Sequence, residues 1–142
     1  MATFDERTRE LLSEVPLFEG LSRKELESIL QTAKDVNVDA GKKIVEQGDN
    51  GVGFHLILEG ACKVTVHDHE VATLGRGDYF GEMSLIDGDP RSATVVAETP
   101  VRTLSLTSWT FLPLLEQNPS VARKLLVEMS RRLRVAERSI KH

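Results

Sequence analysis

The stretch FGEMSLIDGDPRSATV, residues 80–95, decides how the rest of the chain is read. It places Glu82 directly behind Gly81, and Arg91 nine residues further on among small side chains. Glycine at 81 removes the side chain where a main chain turns sharply or approaches something closely. Residues 82–87 (EMSLID) suit one helical turn, whose first N–H groups lack partners and favour an anion. Gly88 and Pro90 end that turn, and Arg91 enters a strand beside Ser92 and Ala93. Phe80 reads as core packing.

A phosphate diester carries one negative charge, which Arg91 can meet with two parallel N–H bonds while the Ser92 hydroxyl adds another donor. Glu82 would be repelled by that anion. Its carboxylate therefore belongs further along the ligand, accepting from a hydroxyl such as a ribose 2′-OH. One arginine, one acid and small neighbours suit a cyclic nucleotide. The same residues also permit a Glu82–Arg91 ion pair with no ligand, and residue chemistry alone leaves both readings open.

Working outward, the period of the sequence changes twice. Residues 5–14 and the run Leu26, Ile29, Leu30, Ala33 have helical spacing, and Ser22 with Glu25 forms an S-x-x-E capping box. The segment DAGKK, 39–43, closes this helical lead-in, which is expected over about 5–35. Phe54, Leu56 and Leu58, then Cys62, Val64 and Val66, alternate with other residues at period two, as strands do. Glycines punctuate these runs at short intervals, as an antiparallel sandwich or barrel requires. Two further strands are expected near 92–97 and 101–106, turned by ETP. Thr107 or Ser108 caps a short helix, and Asn118 followed by Pro119 starts a second one that runs to about Ser139. The expectation is one domain over 1–142, with its β unit at about 40–106 and its C-terminal helices at about 108–139.

At 142 residues, 40% hydrophobic and 28% charged, the chain reads as an ordinary globular protein with a sizeable core. No apolar run is long enough to cross a bilayer, and residues 1–15 are too charged for a signal peptide. Cys62 is the only cysteine, which rules out an internal disulfide and an all-cysteine zinc site and favours the cytoplasm. Formal net charge is −4, but residues 119–142 hold seven basic side chains against two acidic ones, a net +5 that leaves −9 on the remainder. That overall acidity argues against broad nucleic-acid binding, and the basic tail reads as a solvated helix face against an acidic body.

With these elements in place, the chain resembles the cyclic nucleotide-binding domain family. FGE at 80–82, SLI at 84–86 and PRSATV at 90–95 match that family's phosphate-binding cassette. The likeness extends to PLFEGLS at 16–22, EQGD at 46–49, LILEG at 56–60 and LGRGDYFGE at 74–82, covering roughly residues 15–139. It implies a mainly β fold with flanking α-helices: an antiparallel double-stranded β-helix, or jelly-roll-like β-roll, with N-terminal helices before it and a long C-terminal helix after it. It also implies a ligand shell of Phe80, Gly81, Glu82, Met83, Ser84, Arg91, Ser92 and Ala93. In the family, a threonine directly after the cassette arginine accompanies cyclic GMP preference. Ser92 stands there, so cyclic AMP is expected ahead of cyclic GMP, with no other cofactor and no metal.

Ala122, Leu126, Met129, Leu133, Ala136 and Ile140 fall at heptad spacing. This stripe either pairs with a second copy or packs on the β-roll of its own chain, and periodicity does not choose between them. Resemblance to the dimer helix of the family's bacterial receptors favours a homodimer. Those receptors meet the adenine with hydroxyl side chains where this chain has Ala136 and Glu137. Base reading is therefore assigned to Arg134 or Arg138, or to apolar cover from Leu133. No recognition-helix candidate precedes His142, so DNA contact is not expected of this chain, nor membrane contact. It reads as a non-enzymatic sensor, stand-alone or the sensory half of a Crp/Fnr-type transcription regulator.

Three competing readings are weaker. A ligand-free dimerisation module would have little reason to keep both Glu82 and Arg91. A cupin-like metal enzyme could start from His67 and His69, but the glutamate wanted five residues after the second histidine is Leu74, and Asp68 and His69 are expected in a hairpin turn. One cysteine cannot hold an iron–sulfur cluster, no haem axial ligand stands out, and no G-x-S-x-G nucleophile elbow occurs.

Overall fold

The computed structural model describes residues 6–48, 53–81 and 91–140, with the side chains of residues 16, 139 and 140 set aside. Three helical pieces lead in: α1 (Glu6–Glu14), a 3-10 turn (Pro16–Phe18) and α2 (Arg23–Thr32). Among the described residues eight strands follow: β1 (Lys34–Val38), β2 (Lys43–Val45), β3 (Gly53–Glu59), β4 (Cys62–Val66), β5 (His69–Leu74), β6 (Tyr79–Phe80), β7 (Thr94–Ala97) and β8 (Val101–Thr107). Helices α3 (Ser108–Gln117) and α4 (Pro119–Ile140) close the order. The strands form two four-stranded antiparallel sheets, β1-β8-β3-β6 and β2-β7-β4-β5. This is the expected β-roll with helices before and after it.

Strand alternation divides the core in two. On β3, Phe54, Leu56 and Leu58 face the helices and pack with Phe18, Ile29, Leu30, Phe111, Val121 and Leu125. Ile57 on the opposite face joins Cys62, Phe80, Val95, Ala97 and Val101 inside the roll. Phe54 is fully buried and stacks on Phe111 at 4.5 Å between centroids, which locks β3 to α3. Removing such a ring costs about 3–5 kcal/mol. Cys62 is buried as expected, and burial, with Glu98 adding to it, pushes its thiol up to about 11.

The capping box forms as read: Glu25 N donates to Ser22 Oγ at 3.1 Å, and Ser22 N donates to Glu25 Oε1 at 2.8 Å. Other expectations need correction. The β unit starts at Lys34 rather than near residue 40, because α2 ends at Thr32 and Ala33 is already extended. β1 is an edge strand clasped by Arg102, which donates to both carboxylate oxygens of Asp35 at 2.9 and 3.0 Å. The hairpin turn between β4 and β5 is His67–Asp68, not Asp68–His69. Both turn residues have positive φ (51° and 66°), as a tight two-residue hairpin needs, and His69 already belongs to β5. Asn118 sits just before α4, yet its side-chain amide donates backwards to Leu114 O at 3.0 Å and so serves the end of α3.

Along α4, Val121 and Leu125 pack into the helix-facing core, while Leu126 is 67% exposed and Leu133 60% exposed. The packing stripe is therefore offset from the heptad seam, and two of the seam's leucines stand clear of their own β-roll. Residues 131–138 are exposed throughout. Among the described residues, no helix is long and apolar enough to cross a membrane.

Candidate functional site

Arg91 enters the fold just before β7 and is only 6% exposed. Its guanidinium donates through Nη1 to Gly81 O at 3.1 Å and through Nη2 to Gly53 O at 2.7 Å. Its own carbonyl accepts from Gly48 N at 2.9 Å. Main-chain atoms from the end of β6, the start of β3 and the turn after β2 thus fix both ends of the residue. Gly81 makes this possible: its φ is +95°, and a Cβ there would lie 2.5 Å from both Arg91 Nη1 and Gly53 O. The reading of Gly81 as a point of close approach holds, and what approaches is the arginine itself.

Arg91, Ser92 and Ala93 line one end of a cavity of about 470 Å³, with Phe80 and Gly81 beside them. That volume lies within the range of small-molecule sites. Val64, Ala72 and Leu74 from β4 and β5 supply apolar wall, and Tyr79 with residues of α4 covers the far end. There Glu128 accepts from Arg131 Nε and Arg132 Nε, each at 3.1 Å. The Arg131 hydrogen bond, followed by that from Arg132, holds the Glu128 carboxyl below the usual range. Arg132 also lies over the Tyr79 ring, 5.3 Å from its centroid. The lining thus combines a buried cation and small residues from the roll, aliphatic surface from β4 and β5, the carboxylates of Asp78 and Glu128, and the guanidinium groups of α4 beside the Tyr79 ring. Such a lining fits a flat, monoanionic ligand.

The structure brings Phe80, Gly81, Arg91, Ser92 and Ala93 together around this cavity. Glu82, Met83 and Ser84, with the helical turn read over 82–87, lie outside the described residues. Arg134 and Arg138 are exposed on α4 and do not line the cavity; Leu133 does not either. Arg131 and Arg132 take that place, because the buried stripe Val121–Leu125 continues through Glu128 to Arg132 at helical spacing. Sequence reasoning missed these two arginines and Tyr79. The usable signal was the choice of stripe: the face that packs on the roll, not the heptad seam, points at the site. His67 and His69 are exposed on the β4–β5 hairpin, and among the described residues no three His, Cys, Asp or Glu side chains gather as metal ligands.

An antiparallel β-roll that buries an arginine against main-chain carbonyls and lines the resulting cavity partly with a C-terminal helix has the architecture of a small-molecule-binding domain. The family model for the cyclic nucleotide-binding domain matches residues 35–118, and the chain belongs to that family. A cyclic nucleotide-gated potassium channel of Rhizobium etli is 41% identical over 119 residues, which are 84% of this chain and 33% of the channel. A cyclic AMP receptor protein of Thermus thermophilus is 36% identical over 127 residues, covering 86% of this chain and 59% of the receptor. The solved catabolite activator protein of Thermus thermophilus superposes with a TM-score of 0.80 at 35% identity, covering 88% of this chain and 61% of that one. The chain therefore spans less than two thirds of each of these relatives.

Proposed function

We propose that this chain senses cyclic AMP and works as a regulatory binding domain rather than a catalyst. The observation that carries the reading is Arg91, buried at 6% exposure and held by the carbonyls of Gly53 and Gly81 in the wall of a cavity of about 470 Å³. A guanidinium held in this way presents a fixed donor geometry to a single negative charge, which the cyclic phosphate supplies. Glu82 and Ser84 complete the ribose and phosphate contacts in this reading, with Met83 beside them. The purine lies toward Tyr79 and Arg132, where a guanidinium and an aromatic ring accept a flat base. Ser92 favours cyclic AMP over cyclic GMP.

Binding then acts through α4. A ligand that touches both Arg91 and the α4 arginines favours one placement of the helix over others, and only such a difference in contact transmits a signal. The exposed Leu126 and Leu133 support a parallel helix pair with a second copy, hence a homodimer. Relatives of greater length include a potassium channel and a receptor protein. Control of transcription, with the DNA contact made by another part of the protein and the sensor in the cytoplasm, is the output this reading favours. Calorimetric titration of the chain with cyclic AMP and cyclic GMP side by side tests it. Saturable one-to-one binding with cyclic AMP tighter is expected, and no heat with either nucleotide would refute it.

A further inference from the structure

A row of polar side chains crosses one sheet of the β-roll, beside the apolar cluster around Ile57. His55 on β3 lies opposite Phe80 of β6 on one side and Ser105 of β8 on the other. Its ring stacks on Phe80, with centroids 5.1 Å apart and planes 24° from parallel. His55 Nδ1 is 2.7 Å from Ser105 Oγ, which is in turn 3.1 Å from Thr103 Oγ1. Ser105 and Thr103 are both buried. On its other edge, His55 Nε2 packs close enough to Gly53 that a Cβ there would lie 3.1 Å away. Gly53 is the residue whose carbonyl receives Arg91, and Phe80 directly precedes Gly81, whose carbonyl receives it as well.

We propose that His55 is a positioning residue for the anion-binding end, tying the two main-chain acceptors of Arg91 to the polar row Ser105–Thr103 so that the guanidinium is aimed before ligand arrives. An aliphatic side chain would fill the space but leave the Ser105 hydroxyl with less to hold it inside the roll. The imidazole is suited to a place beside a cation because it stays neutral: burial first, and then the Arg91 charge, push it down to about 4. Ring stacking fixes Phe80, the contact with Gly53 fixes the start of β3, and the Ser105 bond fixes the ring between them. The proposal rests on the cyclic nucleotide reading for the identity of the ligand, but not for the link between His55 and Arg91.

The test uses the full chain. Ser105→Ala removes the hydroxyl with the imidazole left in place, and His55→Phe keeps a ring against Phe80 while removing the Nδ1 bond. Each substitution should weaken cyclic AMP binding roughly three- to tenfold, the scale of one hydrogen bond. In an Arg91→Lys background, the same substitutions should change affinity by less than about twofold, since the group they orient is gone. A second readout needs no ligand: the Arg91 Nε–H resonance in nitrogen-15 NMR spectra should shift or broaden in both variants. Equal affinity losses in the two backgrounds, with that resonance unmoved, would overturn the proposal and leave His55 as packing alone. A wild-type chain that takes up no cyclic nucleotide would defeat the ligand reading instead, and the Arg91 resonance would then decide the role of His55 by itself.

Discussion

The two ends of the cavity are built from different materials. At one end Arg91 rests on two main-chain carbonyls, which cannot move unless strands move with them. At the other, Arg131, Arg132 and Glu128 hold one another by side-chain bonds on a helix that is exposed from residue 131 to 138. Side-chain ion pairs in partly wet surroundings exchange partners at little cost. On the proposed function, the anion end is preformed and supplies affinity, whereas the α4 end adjusts and supplies response. Preformed donors raise affinity because little ordering remains to be done on binding.

Removing the fixed end should have the largest effect. Arg91→Ala should weaken cyclic AMP binding roughly ten- to two-hundred-fold, since charge-assisted bonds contribute about 1.5–3 kcal/mol. Near-unchanged affinity in a calorimetric titration would mean that the fixed end does not supply the affinity.

The rigid end should also leave a mark on stability against pH. His55 titrates near 4 in the folded chain and near 6.5 otherwise, so between those values the unfolded chain binds the extra proton. Stability should then fall as pH drops from 6.5 to 4 by something on the order of 3 kcal/mol, and level off below. Carboxyls such as Glu27 and Glu128, held below their usual range by arginine, add their own losses at more acid pH. Urea unfolding of the wild type and of His55→Phe at pH 7 and pH 4.5 separates these effects, because only the histidine part disappears in the variant.

Gly81→Ala tests whether main-chain geometry sets the fixed end. Its positive φ and the 2.5 Å approach to Arg91 Nη1 and Gly53 O should make the change cost about 1–3 kcal/mol and weaken ligand binding with it. Wild-type thermal stability and affinity in this variant would show that the arginine tolerates displacement. The smallest effect is expected at the adjustable end. Arg132→Ala should lower cyclic AMP affinity by less than roughly tenfold, the range of one cation–ring contact, while changing the ratio of cyclic AMP to cyclic GMP affinity. A loss as large as that of Arg91→Ala would erase the contrast between the two ends.

The same contrast governs what could be read without coordinates. Gly81 and Arg91–Ala93 lie close in sequence, and their residue types follow from local demands: a positive φ, a close approach, a charge among small neighbours. Strand β3 was legible for the same reason, since Phe54, Leu56 and Leu58 repeat in a single short run. β1 was not, because an edge strand of sequence KDVNV presents only two valines and stays largely exposed. The lining residues of α4 were missed because the helix carries two apolar stripes, and only packing against the roll shows that Val121–Leu125 rather than Leu126–Leu133 leads to the cavity. His55 escaped altogether: its neighbours Phe80 and Ser105 lie 25 and 50 residues away and meet it only through strand register.

The burial of Cys62 has a practical consequence for testing whether α4 moves. With its thiol enclosed by the roll and pushed up to about 11, it is nearly inert to alkylating dyes at neutral pH. An Arg138→Cys variant would thus accept a fluorophore at one solvent-facing position without background labelling. A change in its emission during rapid mixing with nucleotide would time the helix rearrangement that the proposed function requires.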